Sequence, residues 1–578
     1  MRTNRGSRKF RSAWAALVAL STAAVTLLGV QPAAAAGTFA EADARGFRMH
    51  IDAETTTGGK TTFEEYGDII RNVEASGAVS KVTPLDVAQS RQHTGRALCH
   101  STGLNGVFKY NGFCWDEGDD NTSAYDPAGG WHPQGLTASH DAYAGGTVDG
   151  HHLYVASWYY GHGKSADPDV DRDKLARISV VESTGSSRTY GHVMLVQPSP
   201  HYGNAQFEPV TRVHADGVVW YGNKLFVANG GELQVYDFEH MWKMGTTSVD
   251  RTGIVDGVSS ARHHQWALPM VGRYLIGTSA DHPRACPGER ACLSSLSLDR
   301  SGTTDHLVSG EYLGLGDGRT ANVIRWPLDG ATGLPRSDSS GTVTAAAAYA
   351  APVDQLQGVA TDGRHYYLSA QCPTGYMGDP DTRDGYSCIY EALPGHAPTV
   401  LTRSPSLTQN LSYSPSSGRL WGTNELTGKR VIFSLLPRNA DGTVYLSNEY
   451  SKLCAGGGNK IDNGDPVIQW GCTNARDERW LFEETKDSNG NLAYFVQNEY
   501  SGKCMGVASS LADGAGVIQY TCSGAVDEKW WYDSATHELR NVYSGKCLGL
   551  GSAATKGTQL IQWPCNGAQD EKWTRIPR

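Results

Sequence analysis

His214-Ala215-Asp216 sets an imidazole and a carboxylate two positions apart, and on an extended strand such residues share a face. A histidine steered by a neighbouring carboxylate suits proton transfer near neutral pH. Four more segments align with this one: His132-Pro133-Gln134-Gly135-Leu136, His263-His264-Gln265-Trp266-Ala267, Gln355-Leu356-Gln357-Gly358-Val359 and Leu407-Thr408-Gln409-Asn410-Leu411. The alignment predicts one polar ring of Gln134, Asp216, Gln265, Gln357 and Gln409, and part of a second from His132, His214, His263 and Gln355. His214, Asp216 and His263 are the catalytic candidates. Two chemistries fit these residue types. Hydrolysis of a glycosidic bond uses two carboxylates, and Asp216 would take its partner from a loop, where Glu117, Asp119, Asp126 and Glu208 are available. Elimination from a uronate needs a base for the α-proton and a group that neutralises the acid. His214, His263 or His264 could be that base, with Arg212 and Arg262 flanking two of the strands. The competing reading is a set of polar groups that satisfy one another and channel waters.

Strands must hold such a ring. Leu153-Tyr154-Val155, Leu225-Phe226-Val227, Tyr274-Leu275-Ile276 and Tyr366-Tyr367-Leu368 each follow a Gly-containing turn and read as second strands of hairpins. A third run follows, as in Leu233-Gln234-Val235-Tyr236-Asp237, Val323-Ile324-Arg325-Trp326-Pro327-Leu328-Asp329 and Val431-Ile432-Phe433-Ser434. Repeated four-stranded units of about 50 residues indicate a β-propeller, here over residues 37–438. The ring positions lie 82, 49, 92 and 52 apart, so the expectation is five blades, with six as the alternative. A helical lead-in precedes them, with Thr62 and Glu65 as a capping box ahead of Phe63, Tyr66, Ile69, Ile70 and Val73. Cys114-Trp115-Asp116-Glu117-Gly118-Asp119-Asp120, Ser157-Trp158-Tyr159-Tyr160 and the segment from Arg212 to Tyr221 resemble a group of secreted bacterial β-propeller proteins of undefined activity. That likeness implies a fold and no catalytic assignment.

Residues 439–578 repeat one unit three times. The units begin Asn448-Glu449-Tyr450-Ser451-Lys452-Leu453-Cys454, Asn498-Glu499-Tyr500-Ser501-Gly502-Lys503-Cys504 and Asn541-Val542-Tyr543-Ser544-Gly545-Lys546-Cys547. Ile468-Gln469-Trp470, Ile518-Gln519-Tyr520 and Ile561-Gln562-Trp563 each precede a second Cys, and the units close on Trp480, Trp530 and Trp573. Three short-stranded units sharing one core read as a β-trefoil. These residues resemble the ricin-type β-trefoil lectin domain, which implies sugar binding. An aromatic face packs on the apolar face of a pyranose while polar acceptors take its hydroxyls. Trp470, Tyr520 and Trp563 match the family's stacking aromatic, and Asp477, Asp527 and Asp570 are the accompanying polar candidates. The closing tryptophans match a core position. The chain departs from the family where a sugar-binding Asp is common two residues after the first Cys: it has Gly456, Gly506 and Gly549. The family's Gln two before the aromatic is Ile468, Ile518 and Ile561, and its closing Asn-Gln is Asp477-Glu478, Asp527-Glu528 and Asp570-Glu571. All three units share these changes, which indicates a coherent variant.

The first 36 residues carry Arg2, Arg5, Arg8, Lys9 and Arg11, an apolar run from Ala13 to Val30, and Ala34-Ala35-Ala36 before Gly37. That order predicts a secretory signal peptide and an extracellular protein. An oxidising compartment then favours disulfides: Cys454/Cys472, Cys504/Cys522 and Cys547/Cys565 at equal spacings of 18, and Cys99/Cys114, Cys286/Cys292 and Cys372/Cys388 as near neighbours. No metal is expected. Asp167, Asp169, Asp171 and Asp173 alternate, but a calcium loop starting at Asp167 would need Gly and Glu where Arg172 and Ile178 stand. No cofactor fingerprint or serine nucleophile elbow is present. The 60 acidic side chains outnumber the 50 basic ones, which argues against nucleic acid as a partner, and no long apolar run beyond the signal predicts a membrane span. The sequence thus predicts an all-β, monomeric, secreted protein: a propeller and a trefoil acting on a glycan or polysaccharide. The propeller is read as a hydrolase or lyase anchored by the trefoil, the alternative being a non-catalytic multivalent lectin or adhesin.

Overall fold

The computed structural model describes residues 37–53, 56–104, 110–126, 128–161, 175–184, 187–199, 205–276, 292–373, 385–437, 443–473 and 475–577. The expected export signal, the alternating aspartates 167–173, Cys286 and the expected boundary at 438–439 lie outside these residues. The chain is nearly all-β. Among the described residues no helix is long and apolar enough to cross a membrane.

Among the described residues, five sheets, each antiparallel within itself, make up the larger part. Their first strands are Gly130–Ala138, Gly217–Tyr221, Ser295–Asp299, Gly358–Thr361 and Thr408–Ser414, and each packs on the next in that cyclic order, the last returning to the first. The five form a nearly closed ring from which the sheets run outward. In the second sheet, Gly217–Tyr221, Lys224–Asn229 and Glu232–Asp237 pair in succession and Trp266–Leu275 completes it. The fifth sheet, Thr408–Ser414, Arg419–Asn424 and Val431–Leu435, takes its outer strand Asn111–Cys114 from the opposite end of the chain. That pairing ties the last sheet to the start of the fold.

Both faces of each sheet are covered, which explains strands that read as apolar runs rather than alternations. Val218, Leu225 and Val227 face the first sheet with Val155, Ile178 and Val193. Val219, Phe226 and Ala228 face the third with Leu296, Leu307 and Trp326. Equivalent layers join the third to the fourth, the fourth to the fifth and the fifth to the first. Near the ring the inner strands touch backbone to backbone. A Cβ placed on Gly217 would lie 2.2 Å from the Leu296 amide nitrogen, and one on Gly358 2.5 Å from the Gln409 carbonyl oxygen.

Two sequence expectations are corrected. The capping box of helix Thr62–Ala75 is Thr61 with Glu64, one residue earlier than expected, and Glu65 is buried instead. The segment His263–Ala267 does not begin an inner strand. Trp266–Leu275 is an outer strand, parallel to Ser187–Pro198 and antiparallel to Glu232–Asp237, and Tyr274-Leu275 belong to it. The inner strand missing from the alignment is Ser295–Asp299, where Ser295 stands in the place of Gly135, Gly217, Gly358 and Asn410.

The C-terminal repeats share one core of Val444, Leu446, Val467, Trp480, Val496, Met505, Val517, Trp530, Leu548, Leu560 and Trp573. The three closing tryptophans are buried and donate their indole N–H to the carbonyls of Ala455, Met505 and Leu548 at 2.9, 2.8 and 2.9 Å. Disulfides join Cys99–Cys114, Cys372–Cys388, Cys454–Cys472, Cys504–Cys522 and Cys547–Cys565. Cys292 is also disulfide-bonded.

Candidate functional site

One end of the ring opens into a cavity of about 940 Å³. Its lining includes Gln134, His214, Asp216, Gln355, Gln357 and Gln409, which the sequence alignment places together. Asp216, Gln357 and Gln409 stand immediately before the small residue at which neighbouring strands cross, so the backbone contact that closes the ring also aims these side chains at its axis. The third sheet contributes Ser294, not Gln265.

The imidazole of His214 and the carboxylate of Asp216 meet at 2.6 Å, Nδ1 to Oδ1. The segment between them is fixed on both sides. Ala215 adopts φ +55, a costly left-handed conformation for a residue with a Cβ, and its carbonyl accepts from the Ser157 hydroxyl at 2.9 Å. The His214 amide donates to Asn229 Oδ1 at 2.9 Å. Tyr159 stacks on the His214 ring, centroids 4.3 Å apart and planes 24° from parallel. Gln355 and Leu407 enter their inner strands with the same left-handed backbone. With Nδ1 on Asp216, the second ring nitrogen of His214 remains for a ligand.

The second carboxylate at the cavity is Glu425, which the sequence reading did not select. It follows strand Arg419–Asn424, accepts from the Gln134 amide, and lies 3.7 Å from His132 Nδ1. Burial pushes the Glu425 carboxyl up, but His132, His214 and Gln134 together outweigh it and hold the group below the usual range. Burial pushes His132 down. Tyr125 and Tyr312 line the cavity with relative exposures of 57% and 37%, a pair of aromatic faces at the mouth. The signal for Glu425 was weak because it ends a second strand, a position carried by Gly230 in the second sheet.

Other candidates lie elsewhere. His263 is exposed in a turn, with Nδ1 2.9 Å from the Thr247 carbonyl, and the Gln265 side chain accepts from Gln92 at 2.6 Å. Both misplacements follow from the outer position of Trp266–Leu275. Glu117 and Asp126 are exposed, and Glu208 accepts from Gln197 at 2.8 Å. Asp119 is buried in a separate network, 2.7 Å from Arg177, 2.7 Å from the Tyr190 hydroxyl and 3.0 Å from His192 Nε2. Burial raises this carboxyl, yet His192 and Arg177 hold it well below the usual range. His93, Asp119 and His192 lie close enough to share a cation, but the Arg177 guanidinium already supplies the positive charge there.

In the trefoil the aromatics and the aspartates separate. Tyr520 and Trp563 are 47% and 42% exposed and Trp470 is half-buried. Asp477 is buried and its carboxylate accepts from the Asn459 amide at 3.0 Å; Asp527 and Asp570, half-buried, hold the Ser509 and Ser552 amides in the same way at 2.7 and 2.9 Å. A Cβ on Gly456 would lie 3.6 Å from Asp477 Oδ2, so the closing carboxylate sits beside the position where the family carries its Asp. The glutamines are internal. Gln469 donates to Ala553, Gln519 to Gly457 and Lys460, and Gln562 to Ser510 and Ala512, each reaching a carbonyl of another repeat.

Residues 442–573 match the family model described as the ricin-type beta-trefoil lectin domain. A lectin domain at these positions indicates carbohydrate binding. No curated protein matches the chain. Among solved structures, the designed threefold symmetric protein ThreeFoil is 26% identical over 24% of this chain and 100% of its own, with a TM-score of 0.23. The Rhizoctonia solani agglutinin is 20% identical over 24% of this chain and 95% of its own, with a TM-score of 0.21. An exo-beta-1,3-galactanase from Clostridium thermocellum is 14% identical over 74% of this chain and 80% of its own, with a TM-score of 0.23.

Proposed function

We propose that this is a secreted, two-domain polysaccharide-degrading enzyme, in which the ring cavity carries the chemistry and the trefoil, from about residue 439, holds the glycan. The observation that carries the reading is the His214–Asp216 pair at 2.6 Å, facing an open cavity rimmed by tyrosines and lined by amides. Asp216 orients the imidazole through Nδ1, as a carboxylate does for a histidine base. Amides of Gln134, Gln355, Gln357 and Gln409 suit sugar hydroxyls, and Tyr125 and Tyr312 suit pyranose faces. Trp470, Tyr520 and Trp563 are the trefoil's stacking groups, with Asp527 and Asp570 beside the latter two repeats. Disulfides and a lectin-type domain are consistent with secretion.

The base favours elimination over two-carboxylate hydrolysis, with the amides of Gln357 and Gln409, and no cation of the described lining, to hold the uronate carboxyl. A hydrolase of that kind keeps one carboxyl protonated, whereas Glu425 is held below the usual range. In elimination, His214 removes the proton α to a uronate carboxyl, the electron pair forms the ring double bond, and the glycosidic oxygen leaves and takes a proton. Tyr125, raised above its usual value by burial and Glu425, is protonated and can supply it. The test is incubation of the mature protein with polygalacturonate and with xylan. The expected result is an ultraviolet-absorbing unsaturated product from the uronate polymer, lost by about 10²- to 10⁴-fold in His214→Ala. Saturated products would assign hydrolysis; no products with either polymer would leave a non-catalytic multivalent lectin.

A further inference from the structure

Each trefoil aromatic is met by a loop from another repeat, and the contact is built the same way three times. The amide of Gly464 donates to the Gln519 carbonyl at 3.0 Å, that of Gly514 to Gln562 at 2.9 Å and that of Gly557 to Gln469 at 2.8 Å. The three glycines have φ of +89, +74 and +86, a left-handed turn that suits a residue without a Cβ. Each acceptor immediately precedes Tyr520, Trp563 or Trp470, so the glycine lies against that ring. A Cβ on Gly514 would sit 3.5 Å from Trp563, and one on Gly557 3.8 Å from Trp470. The residue ahead of the glycine is thereby carried to the rim of the aromatic. That position holds Asn463, Asp513 and Lys556: an amide, a carboxylate and an ammonium.

A second position answers it. The residue before the first Cys of the second, third and first repeats is Lys503, Lys546 and Leu453. Lys503 donates to Asn463 at 2.7 Å and to the hydroxyl of Thr521, next to Tyr520, at 3.3 Å. Lys546 pairs with Asp513 at 2.5 Å, beside Trp563. At those two sites the loop engages the lysine. At Trp470 the cation stands on the loop instead, and the answering side chain, Leu453, has no acceptor to offer. Lys556 is exposed, makes no ion pair or side-chain hydrogen bond among the described residues, and holds its ammonium 5.8 Å from the centroid of the Trp470 ring. Gly471 leaves room for it where the other repeats carry Thr521 and Pro564: a Cβ there would lie 3.1 Å from Lys556 Nζ. One of three otherwise equivalent aromatic sites therefore has an uncompensated cation over its ring.

We propose that the Trp470 and Lys556 side chains form a subsite selective for an acidic pyranose, whose carboxylate takes the ammonium while its ring packs on the indole, and that the Tyr520 and Trp563 sites lack this preference. An ammonium–carboxylate contact is a charge-assisted hydrogen bond, roughly twice as strong as a neutral one. A neutral sugar that moves the ammonium off the ring loses the cation–π contact without replacing it. The same lysine thus favours the acid and disfavours the neutral sugar. This inference rests on the reading of Trp470 as a stacking group, and the ligand class it selects is that of the uronate polymer proposed for the cavity.

The test is fluorine NMR of the full-length protein labelled with 5-fluorotryptophan and carrying His214→Ala, so that the sugar is not consumed. Trp470→Phe and Trp563→Phe assign the two signals, and each then reports its own site, separate from binding in the cavity. Titration with digalacturonate and with xylobiose should give, at Trp470, a Kd for the acid about tenfold below that for the neutral sugar. At Trp563 the two should agree within about twofold. Lys556→Gln should abolish the preference at Trp470, Lys556→Arg should keep it, and Lys546→Gln should leave it unchanged. Equal affinities for the two sugars at Trp470, a preference that survives Lys556→Gln, or the same preference at Trp563 would overturn the acid-selective subsite while leaving Trp470 a stacking group. A Trp470 signal that responds to neither sugar would overturn the stacking reading as well.

Discussion

The ring cavity and the trefoil surface use repetition in opposite ways. Around the cavity, each sheet offers one side chain from an equivalent backbone position, and these are not all alike: Asp216 and Ser294 stand among Gln134, Gln357 and Gln409. In the trefoil the repeated polar residues are nearly identical, and all are engaged internally. Asparagines 448, 498 and 541 donate to the carbonyls of Asp570, Asp477 and Asp527, the glutamines bridge repeats, and Glu478, Glu528 and Glu571 accept from the amides of Thr473, Ser523 and Asn566. What varies surrounds the exposed aromatics: Lys503 with Asn463 at one site, Lys546 with Asp513 at the next, and Lys556 near Trp470 at the third. Identity across repeats marks what holds the fold. Difference between them marks where chemistry can be placed.

The strongest way to break this comparison is at the strand crossings. Gly217→Val would put a Cβ 2.2 Å from the Leu296 nitrogen and is expected to cost more than about 3 kcal/mol, visible as loss of soluble protein or of the cooperative transition. Gly456→Ala in the trefoil meets its nearest atom at 3.5 Å and should cost under about 1 kcal/mol. Equal effects would show that the ring is no more tightly interlocked than the trefoil.

Acid should separate the two parts next. Burial pushes His140 down to about 3, and pushes His152 and His192 to about 4. Unfolded histidines titrate near 6.5, so between pH 6.5 and about 4 the unfolded chain binds protons that these groups refuse when folded. Stability present above pH 6.5 is lost as the pH falls through that window. Asp141, pushed by burial to about 6, and Glu311, also raised by burial, act with the opposite sign, because they take up their protons first in the folded state, but the imidazoles, with His264 at about 3 added, outnumber them. Calorimetry of the full chain should show the transition of the five-sheet ring dropping by on the order of 10 °C across the window while the trefoil transition holds. A ring transition that stays level would remove the buried histidines from the account.

The smallest effects test the trefoil's division of labour. Gln519→Ala removes two carbonyl contacts and the acceptor of the Ser501 hydroxyl, and should cost about 1–3 kcal/mol with little change in sugar affinity per folded molecule. Tyr520→Ala should leave stability within about 0.5 kcal/mol and weaken glycan binding. Thermal denaturation paired with glycan titration reads both, and exchanged outcomes would reverse the assignment of structural and binding residues.

Much of this is legible in the amino-acid sequence. The threefold cysteine, asparagine, glutamine and tryptophan pattern specified the trefoil because each repeat must bury the same core residue and close the same turn. Alternating polar residues ahead of a small residue located four of the five inner strands, because close strand crossing demands Gly, or Asn at 410, and leaves the preceding side chain facing the axis. The reading failed where composition had more than one structural cause. His263-His264-Gln265 copied the inner-strand pattern while introducing an outer strand, and Ser294-Ser295 lacked the glycine that would have revealed the true one. Glu425 and Asp119 are both acidic residues near strand or helix ends, and nothing local distinguishes the one that reaches the cavity from the one that closes a buried ion network. The burial of Tyr500, beside an Arg476 that donates to Leu401 of the fourth sheet, against an exposed Tyr450 and Tyr543 is of the same kind. Local sequence determined which elements form and which face each presents, since those depend on spacing and turn chemistry. Which polar groups converge, and which repeat lies against the ring, depend on contacts between residues hundreds of positions apart, and only the tertiary structure decided them.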